Sequence, residues 1–397
     1  MQRISQLGAN LSLAAAMLVA FAPATAEAAK VRVLYSLKGA TDGASPEASL
    51  YMDAQGNLYG TNEVGGSDAC FNSGCGTVFK LAPDGKETTL HVFTGDDGAY
   101  PIAELTADAK GNLYGTTNNG GANIAGTVFK VTPKGKTTII YNFTGGADGA
   151  NPYAGLVADG SGNFYGTTTG GGANGFGTVF KITPRGKETV IYSFAGGSDG
   201  VEPIGTLLRD SAGTLYGTAT NGGIDCDGSG FGCGIVFKLT PKGKETVLYR
   251  FEGGDHGADP AAGLVMDDTG ALYGTTNNGG DVNCDCGVVY ELTPNGKQTP
   301  LHVFTGGSDG GNARSRFVAD AGGNLYGTTS SGGSDDCGCG VVFRMTPKGA
   351  MKILHAFDGN DGGSPFAGLI ADAAGNFYGT TATGGAESDG TVFKLTP

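Results

Sequence analysis

A tripeptide, Tyr-Gly-Thr, recurs seven times along this chain and constrains its fold more than any other feature. The copies are spaced 51 to 57 residues apart. They begin at Tyr59, Tyr114, Tyr165, Tyr216, Tyr273, Tyr326 and Tyr378. A repeat of this length is one supersecondary unit, which buries its apolar surface only by packing against its neighbours. The chain therefore consists of seven similar units.

Each repeat contains four short segments that have the composition of β-strands. In the third repeat they are 152–159, 162–167, 177–181 and 188–194, where branched and aromatic residues alternate between glycine-rich turns. An aspartate followed three residues later by glycine predicts a tight turn between the first two strands. Gly-Gly and Asp-Gly sequences mark two longer loops. The strands are therefore antiparallel, with short turns at one end and long loops at the other.

Seven repeats of four antiparallel strands predict an all-β protein, a seven-bladed β-propeller. The last repeat ends after its third strand, whereas 31–37 is a strand with no repeat before it. We expect this N-terminal strand to complete the last blade, because ring closure removes exposed sheet edges. A solenoid, the competing repeat fold, needs no such exchange. The predicted propeller is a single domain covering residues 29–397.

The repeat also resembles a known family. Its sequence is Gly-Asn-Leu-Tyr-Gly-Thr-Thr at 111–117, Gly-Thr-Val-Phe-Lys-x-Thr-Pro at 126–133 and Tyr-x-Phe at 141–143. This combination resembles the bacterial tandem repeat called GloVer, over essentially the whole chain after residue 28. The resemblance implies an exported β-propeller-like protein and implies no particular activity.

Residues 1–28 have the pattern of a secretory signal peptide. Arg3 precedes an apolar run at 11–22, and small residues at 24–28 offer a cleavage site. The run is too short for a membrane span, and no second apolar segment follows. We expect a secreted or periplasmic protein that is monomeric. Its net charge of −13 argues against nucleic acid and anionic membranes as partners, and favours a cationic or neutral ligand.

Eight cysteines occur as pairs in one type of loop, between the second and third strands of repeats one, four, five and six. The pairs are Cys70/Cys75, Cys226/Cys233, Cys284/Cys286 and Cys337/Cys339. An even number in an exported protein predicts disulfides. The first two pairs could each staple their own loop, whereas the last two would enclose one residue in a strained ring. Zinc bound by the four thiolates of repeats five and six is the alternative.

The sequence contains no pairing of a nucleophile with a base that would indicate catalysis. His91, His302 and His355 occupy a strand position that holds tyrosine in other repeats, and they are predicted to be framework residues. His256 replaces the aspartate of an Asp-Gly loop. The carboxylates of such loops are possible ligands for calcium, the one cofactor considered. These candidate ligands are Asp148, Asp199, Asp309 and Asp361.

Departures from the repeat are the best guide to a binding site, because the scaffold does not require them. The third residue after the proline that opens the first strand is small in five repeats, but it is Glu104 in the second and Arg316 in the sixth. Arg314 accompanies the second change, and Ala313 replaces the proline. This strand lies innermost in a propeller, so we expect these charges near the central channel, on roughly opposite sides. An ion pair with a local partner is the alternative interpretation.

Two functions remain. The first is an exported scaffold that binds an extracellular protein or glycan on its loop-rich face, without catalysis. Its candidate ligand-binding residues are Glu104, Tyr153, His256, Arg314, Arg316 and Phe366. Further aromatic candidates for stacking are Phe71, Tyr100, Phe176 and Phe231. The second function is an extracellular propeller enzyme, either a metal-assisted hydrolase or a polysaccharide lyase.

Overall fold

Each Tyr-Gly-Thr copy lies on the second strand of a four-stranded antiparallel sheet. The computed structural model describes residues 29–397 except Phe71, Asn72, Asp227, Ser229, Val282 and Asp335. The predicted signal peptide, residues 1–28, lies outside this part of the chain. The described residues form seven such sheets, and all seven contribute to one central channel. The predicted seven-bladed β-propeller is therefore confirmed.

The strands follow one another from the channel outward within each blade. The N-terminal strand is β1 (Lys30–Ser36). Blade 1 contains β2 (Tyr51–Met52), β3 (Leu58–Asn62), β4 (Thr77–Leu81) and β5 (Glu87–Val92). Blade 2 contains β6 (Thr106–Ala107), β7 (Leu113–Thr117), β8 (Thr127–Val131) and β9 (Thr137–Asn142). Blade 3 contains β10 (Val157–Ala158), β11 (Phe164–Thr168), β12 (Thr178–Ile182) and β13 (Glu188–Ser193).

The remaining blades have the same plan. Blade 4 contains β14 (Leu208–Arg209), β15 (Leu215–Ala219), β16 (Ile235–Leu239) and β17 (Glu245–Arg250). Blade 5 contains β18 (Val265–Met266), β19 (Leu272–Thr275), β20 (Val288–Leu292) and β21 (Gln298–Val303). Blade 6 contains β22 (Val318–Ala319), β23 (Leu325–Thr329), β24 (Val341–Met345) and β25 (Met351–Ala356). Blade 7 contains β26 (Ile370–Ala371), β27 (Phe377–Thr381) and β28 (Thr391–Thr396).

The N-terminal strand closes the ring, as predicted. β1 pairs antiparallel with β28 and is the outermost strand of blade 7. Two single 3-10 turns, Gly197–Asp199 and Gly254–His256, are the only helices in the described residues. Neither approaches the length that a bilayer-spanning helix needs.

The tight turn between the first two strands is held by its aspartate. In blade 1 the backbone N–H of Gly56, at φ 79°, donates to the carbonyl of Asp53. The Asp53 carboxylate accepts the backbone N–H of Asn57 at 2.9 Å and the hydroxyl of Tyr59 at 3.0 Å. The tyrosine of Tyr-Gly-Thr therefore stabilises the tight turn that the Asp-x-x-Gly spacing predicted.

Aromatic rings connect neighbouring blades. In six of the junctions, a buried phenylalanine after the outermost strand packs edge-to-face on the aromatic ring of the next blade's third strand, with centroids 5.1–5.7 Å apart. Within each blade, the glycine of Tyr-Gly-Thr makes room for the aromatic ring on the third strand. A Cβ on Gly60 would lie 2.6 Å from the Phe79 ring, so the close approach requires glycine.

Candidate functional site

The seven innermost strands surround a central channel that opens on the loop-rich face. Each blade contributes the residue directly after its proline position, and we call this ring the mouth. The mouth consists of Glu47, Ile102, Tyr153, Ile204, Ala261, Arg314 and Phe366. The cavity has a volume of about 120 Å³. Sites for drug-sized ligands occupy ~300–1,000 Å³, so the mouth accommodates only a small group.

Backbone geometry places each mouth side chain. The residue before the proline position has φ between 51° and 58° in all seven blades, although none of these residues is glycine. In blade 6 this residue is Asn312, whose N–H donates to the carbonyl of Cys286 in blade 5 at 2.7 Å. Its own carbonyl accepts the N–H of Ser330 in blade 6. The unfavourable conformation is therefore held from both neighbouring loops, and it directs the following residues into the channel.

The four cysteine pairs support this arrangement. Disulfides join Cys70 to Cys75, Cys226 to Cys233, Cys284 to Cys286 and Cys337 to Cys339. Each pair lies within its own loop, which confirms the disulfide prediction. No free cysteine is present in the described residues, so the zinc alternative has no thiolates there. In each pair the second cysteine's carbonyl accepts the N–H of the positive-φ residue in the next blade.

The charges predicted to face the channel meet across it. Arg316 Nη2 lies 3.6 Å from Glu104 Oε2, which joins blade 6 to blade 2. Glycine at the same position in neighbouring blades makes room, because a Cβ on Gly155 would lie 2.2 Å from Glu104 Cγ and one on Gly263 would lie 3.2 Å from Arg316 Cδ. We call the Glu104–Arg316 pair the floor, since these residues lie two positions after the mouth residues, in the segments that lead into β6 and β22. The prediction placed the two residues correctly, but each is the partner of the other.

Arg314 is held above the floor. Its Nε–H donates to Asn277 Oδ1 at 2.7 Å. Its guanidinium lies 5.5 Å from the centroid of the Phe366 ring, a distance typical of cation–π contact. Ala313, where other blades have proline, is completely buried. Arg314 and Phe366, both predicted from sequence, are thus brought together in the mouth.

Two acidic residues of the mouth region were not predicted. The pKa of Glu47 is raised to about 7, chiefly by burial and then by the Glu63 carboxylate, while Arg314 opposes the rise. Burial also raises the pKa of Glu63, which follows β3, and that of Tyr153 across the mouth. Comparing the residue after proline among the seven repeats would have identified Glu47. Glu63 carried a similar signal, because it is the one charged residue at a position where the other repeats have Asn118, Thr169, Thr220, Asn277, Ser330 and Ala382.

His256 does not join the mouth. It is absent from the residues that line the channel, and its Nδ1–H donates to Gln298 Oε1 at 2.7 Å. Gln298 Nε2 returns a hydrogen bond to the His256 carbonyl at 3.2 Å. Gln298 begins β21, the outermost strand of blade 5. The pair therefore connects the loop that follows blade 4 to the outer edge of blade 5, and we call this outer edge of the propeller the rim.

The four candidate calcium ligands lie separately, in the loops of different junctions. Asp148 accepts hydrogen bonds from Tyr141 and the backbone of Thr144, and Asp199 accepts equivalent bonds from Tyr192 and Ala195. Asp309 and Asp361 accept from His302 and His355, which are framework residues as predicted. Among residues 29–397, the six undescribed positions excepted, no three His, Cys, Asp or Glu side chains are grouped to hold a metal ion.

The other described aromatic candidates do not line the channel. Tyr100 is the positive-φ residue of blade 2. Phe176 and Phe231 are exposed in long loops, and Phe231 lines a separate cavity between the loops of blades 4 and 5. Phe71 lies outside the described residues. Of the aromatic side chains that were singled out from sequence and that the structure describes, only Tyr153 and Phe366 line the mouth.

Comparison with known proteins gives a family and a fold. The family described as the Gloeobacter/Verrucomicrobia repeat matches residues 16–231 and 226–397. No curated protein matches the chain.

Three solved structures are similar in fold. The extracellular domain of a candidate one-component system from B. thetaiotaomicron has a TM-score of 0.54 at 10% identity, covering 89% of this chain and 39% of that one. A candidate 6-phosphogluconolactonase from Bacteroides uniformis has a TM-score of 0.50 at 14% identity, covering 81% and 88%. A gluconolactonase from Xanthomonas campestris has a TM-score of 0.44 at 16% identity, covering 75% and 86%. At these identities the likeness concerns the fold alone.

Proposed function

Because the chain belongs to the Gloeobacter/Verrucomicrobia repeat family and its solved neighbours share only the fold, we propose a function from the chemistry of the mouth itself. The protein is an exported, non-catalytic binding module that receives the terminal sugar of an extracellular glycan in the mouth of its channel.

The proposal rests on one contrast: the mouth residues vary among the seven blades, whereas the residues on either side of them hardly vary. Six of the seven mouth residues follow proline, and the residue after each of the seven is Ala, Gly or Ser. Between these near-identical neighbours, the mouth presents carboxyl, phenol, guanidinium, phenyl and aliphatic groups. The scaffold needs no such variety, and varied side chains on a rigid frame are typical of ligand recognition.

The chemistry of the mouth favours a glycan. Glu47, Tyr153 and Arg314 provide hydrogen-bonding groups next to the ring of Phe366, and sugars combine hydroxyl groups with apolar faces. The cavity is small, so one terminal sugar enters while the rest of the glycan lies over the long loops.

An exported location agrees with this ligand. Four intraloop disulfides persist only in an oxidising compartment, and the sequence of residues 1–28 predicts a secretory signal.

Binding to a glycan array, followed by calorimetry on the exported protein, tests the proposal. We expect Tyr153→Ala and Phe366→Ala to abolish binding, because both remove the mouth's aromatic surfaces. Phe231→Ala is the matched control, since it removes an exposed ring from the same face outside the mouth. Lys136→Ala, in the hairpin between β8 and β9, is the control for the opposite face. Sensitivity to the two controls, or no glycan binding at all, would contradict the proposal.

The enzymatic alternative has one observation in its favour. Glu47 has a pKa of about 7, which suits proton transfer near neutral pH. Product analysis after incubation with each bound glycan distinguishes the two functions. Cleavage by the wild type that is lost in Glu47→Gln would establish the enzyme and overturn the non-catalytic proposal.

A further inference from the structure

Arg314 occupies a special place in the mouth because it is fixed before any ligand arrives. Its Nε–H is bonded to Asn277, and its guanidinium lies over Phe366. Asn277 is itself held, since its Nδ2 donates to Asn278 Oδ1 at 2.7 Å. A free arginine side chain loses considerable rotamer freedom on binding. Arg314 has lost much of that freedom already, so it is preorganised.

The positive charge of Arg314 is not neutralised by contact. In the described part of the chain, no carboxylate oxygen lies within 4.0 Å of it, and its one side-chain hydrogen bond uses Nε. Arg316 differs, because its charge is matched by Glu104 in the floor. The Nη1 and Nη2 groups of Arg314 therefore retain N–H donors for an acceptor outside the protein. A guanidinium edge with two parallel donors fits a carboxylate with two oxygens.

The neighbouring acids permit such a ligand. Glu47, buried beside Glu63 and Arg314, has a raised pKa of about 7 and is uncharged in a mildly acidic medium. A protonated Glu47 donates a hydrogen bond to a carboxylate instead of repelling it. Tyr153, the other titratable group facing Glu47, has a pKa raised by burial and provides a neutral hydroxyl. The floor limits the depth to which a ligand can enter.

We propose that the mouth selects a terminal uronic acid, whose carboxylate is bound by Arg314. This inference rests on the proposed glycan-binding function and adds the class of sugar. It differs from the expectation, drawn from the net charge of −13, that the ligand is cationic or neutral. The overall charge describes the whole surface, whereas the local charge at the mouth decides which group is bound.

Matched pairs of trisaccharides test this inference on the exported protein. The acidic probes are oligomers of glucuronate, galacturonate and mannuronate, and the neutral probes are the corresponding oligomers of glucose, galactose and mannose. We expect at least one acidic probe to bind about tenfold or more tightly than its neutral counterpart, the size of one charge-assisted bidentate contact. The methyl ester of that acidic probe should bind only as tightly as the neutral probe.

Arg314→Gln should abolish this preference without changing the melting temperature, because Arg314 is exposed. Arg185→Gln, an exposed arginine in the hairpin between β12 and β13, is the matched control and should keep the preference. Affinity for the acidic probe should fall by up to about tenfold between about pH 6 and pH 8 as Glu47 loses its proton. Glu47→Gln, which keeps a neutral donor, should remove this pH dependence.

The possible failures are distinguishable. Equal binding of acidic and neutral probes would overturn the uronic acid inference and leave the glycan-binding proposal standing. Retention of the acidic preference in Arg314→Gln would also overturn the inference, because another group would then bind the carboxylate. No binding of any sugar would overturn both.

Discussion

The outer rim and the channel mouth are built by the same seven repeats. The repeats have similar residues at the rim but different residues at the mouth. At six junctions of the rim, the aspartate of an Asp-Gly loop accepts a hydrogen bond from a tyrosine or histidine on the outermost strand. The seventh junction replaces this arrangement with the His256–Gln298 pair. This departure from the Asp-Gly arrangement thus comes with a local partner.

At the mouth, departures from the repeat are not fully satisfied within their own junction. Arg316 finds its partner Glu104 on a distant blade, and Arg314 keeps donors that no described residue accepts. A departure from the repeat that is satisfied within its own junction maintains the fold. We propose that a departure whose polar groups remain unsatisfied and exposed at the mouth provides groups for a ligand.

The strongest test of this contrast replaces one phenylalanine in each region. Phe129 is completely buried and packs against Phe93 of the preceding blade. Phe129→Ala should lower the free energy of unfolding by about 3–5 kcal/mol, because it removes a core ring and leaves a cavity. Phe366→Ala should lower it by about 1 kcal/mol or less, since its ring is partly exposed and contacts Arg314. Denaturant unfolding measures both, and similar losses would remove the distinction between frame and mouth.

A smaller effect is expected at a departure that has no function. Tyr290 stands where the other six repeats have phenylalanine, is completely buried, and its hydroxyl has no hydrogen-bond partner. Tyr290→Phe should raise the free energy of unfolding by about 1–3 kcal/mol, because a buried unpaired hydroxyl is removed and the ring is kept. Phe237→Tyr, the reverse change in blade 4, should lower it. A loss of stability in Tyr290→Phe would mean that the hydroxyl has a partner.

The sequence predicted the frame well, because its determinants recur. The Tyr-Gly-Thr and Asp-x-x-Gly motifs specify one hairpin seven times, and the missing last strand indicated the pairing of β1 with β28. The pairing of Cys70 with Cys75 and of Cys226 with Cys233 was predictable in the same way, since each pair lies in one short loop. The Cys284–Cys286 and Cys337–Cys339 bonds were less so, because a ring enclosing one residue was expected to be strained and zinc binding was the alternative.

The mouth could be predicted only in part. Glu104 and Arg316 were singled out as departures, but their pairing depends on two side chains that reach across the channel from blades far apart in sequence. The raised pKa of Glu47 arises from burial beside Glu63, which is a property of packed loops and not of spacing. The His256–Gln298 contact likewise joins two repeats whose relative placement the sequence pattern does not describe.

The smallest predicted effect is the pH dependence of stability at the rim. The pKa values of Glu188 and Glu245 are raised to about 7, chiefly by burial and then by the carboxylates of Asp148 and Asp199 respectively. A carboxyl group whose pKa is higher in the folded chain than its ordinary value of 4.5 binds its proton more tightly when folded. Its stabilising contribution is therefore complete below that ordinary value and is lost as the pH rises through about 7.

We therefore expect the melting temperature to fall as the pH is raised from about 5 to about 8. The change should be modest, because both carboxyl groups remain partly exposed and water screens their repulsion. The double variant Glu188→Gln, Glu245→Gln should reduce this fall in melting temperature. It replaces two carboxyl groups with the uncharged amide that Gln298 provides at the same position in blade 5. Asp255→Asn, an exposed loop carboxylate near that junction, is the control and should leave the fall unchanged. A decline of equal size in the double variant would show that these two rim carboxyl groups do not govern the pH dependence, and would point to the other glutamates whose pKa burial raises, Glu47, Glu63 and Glu87.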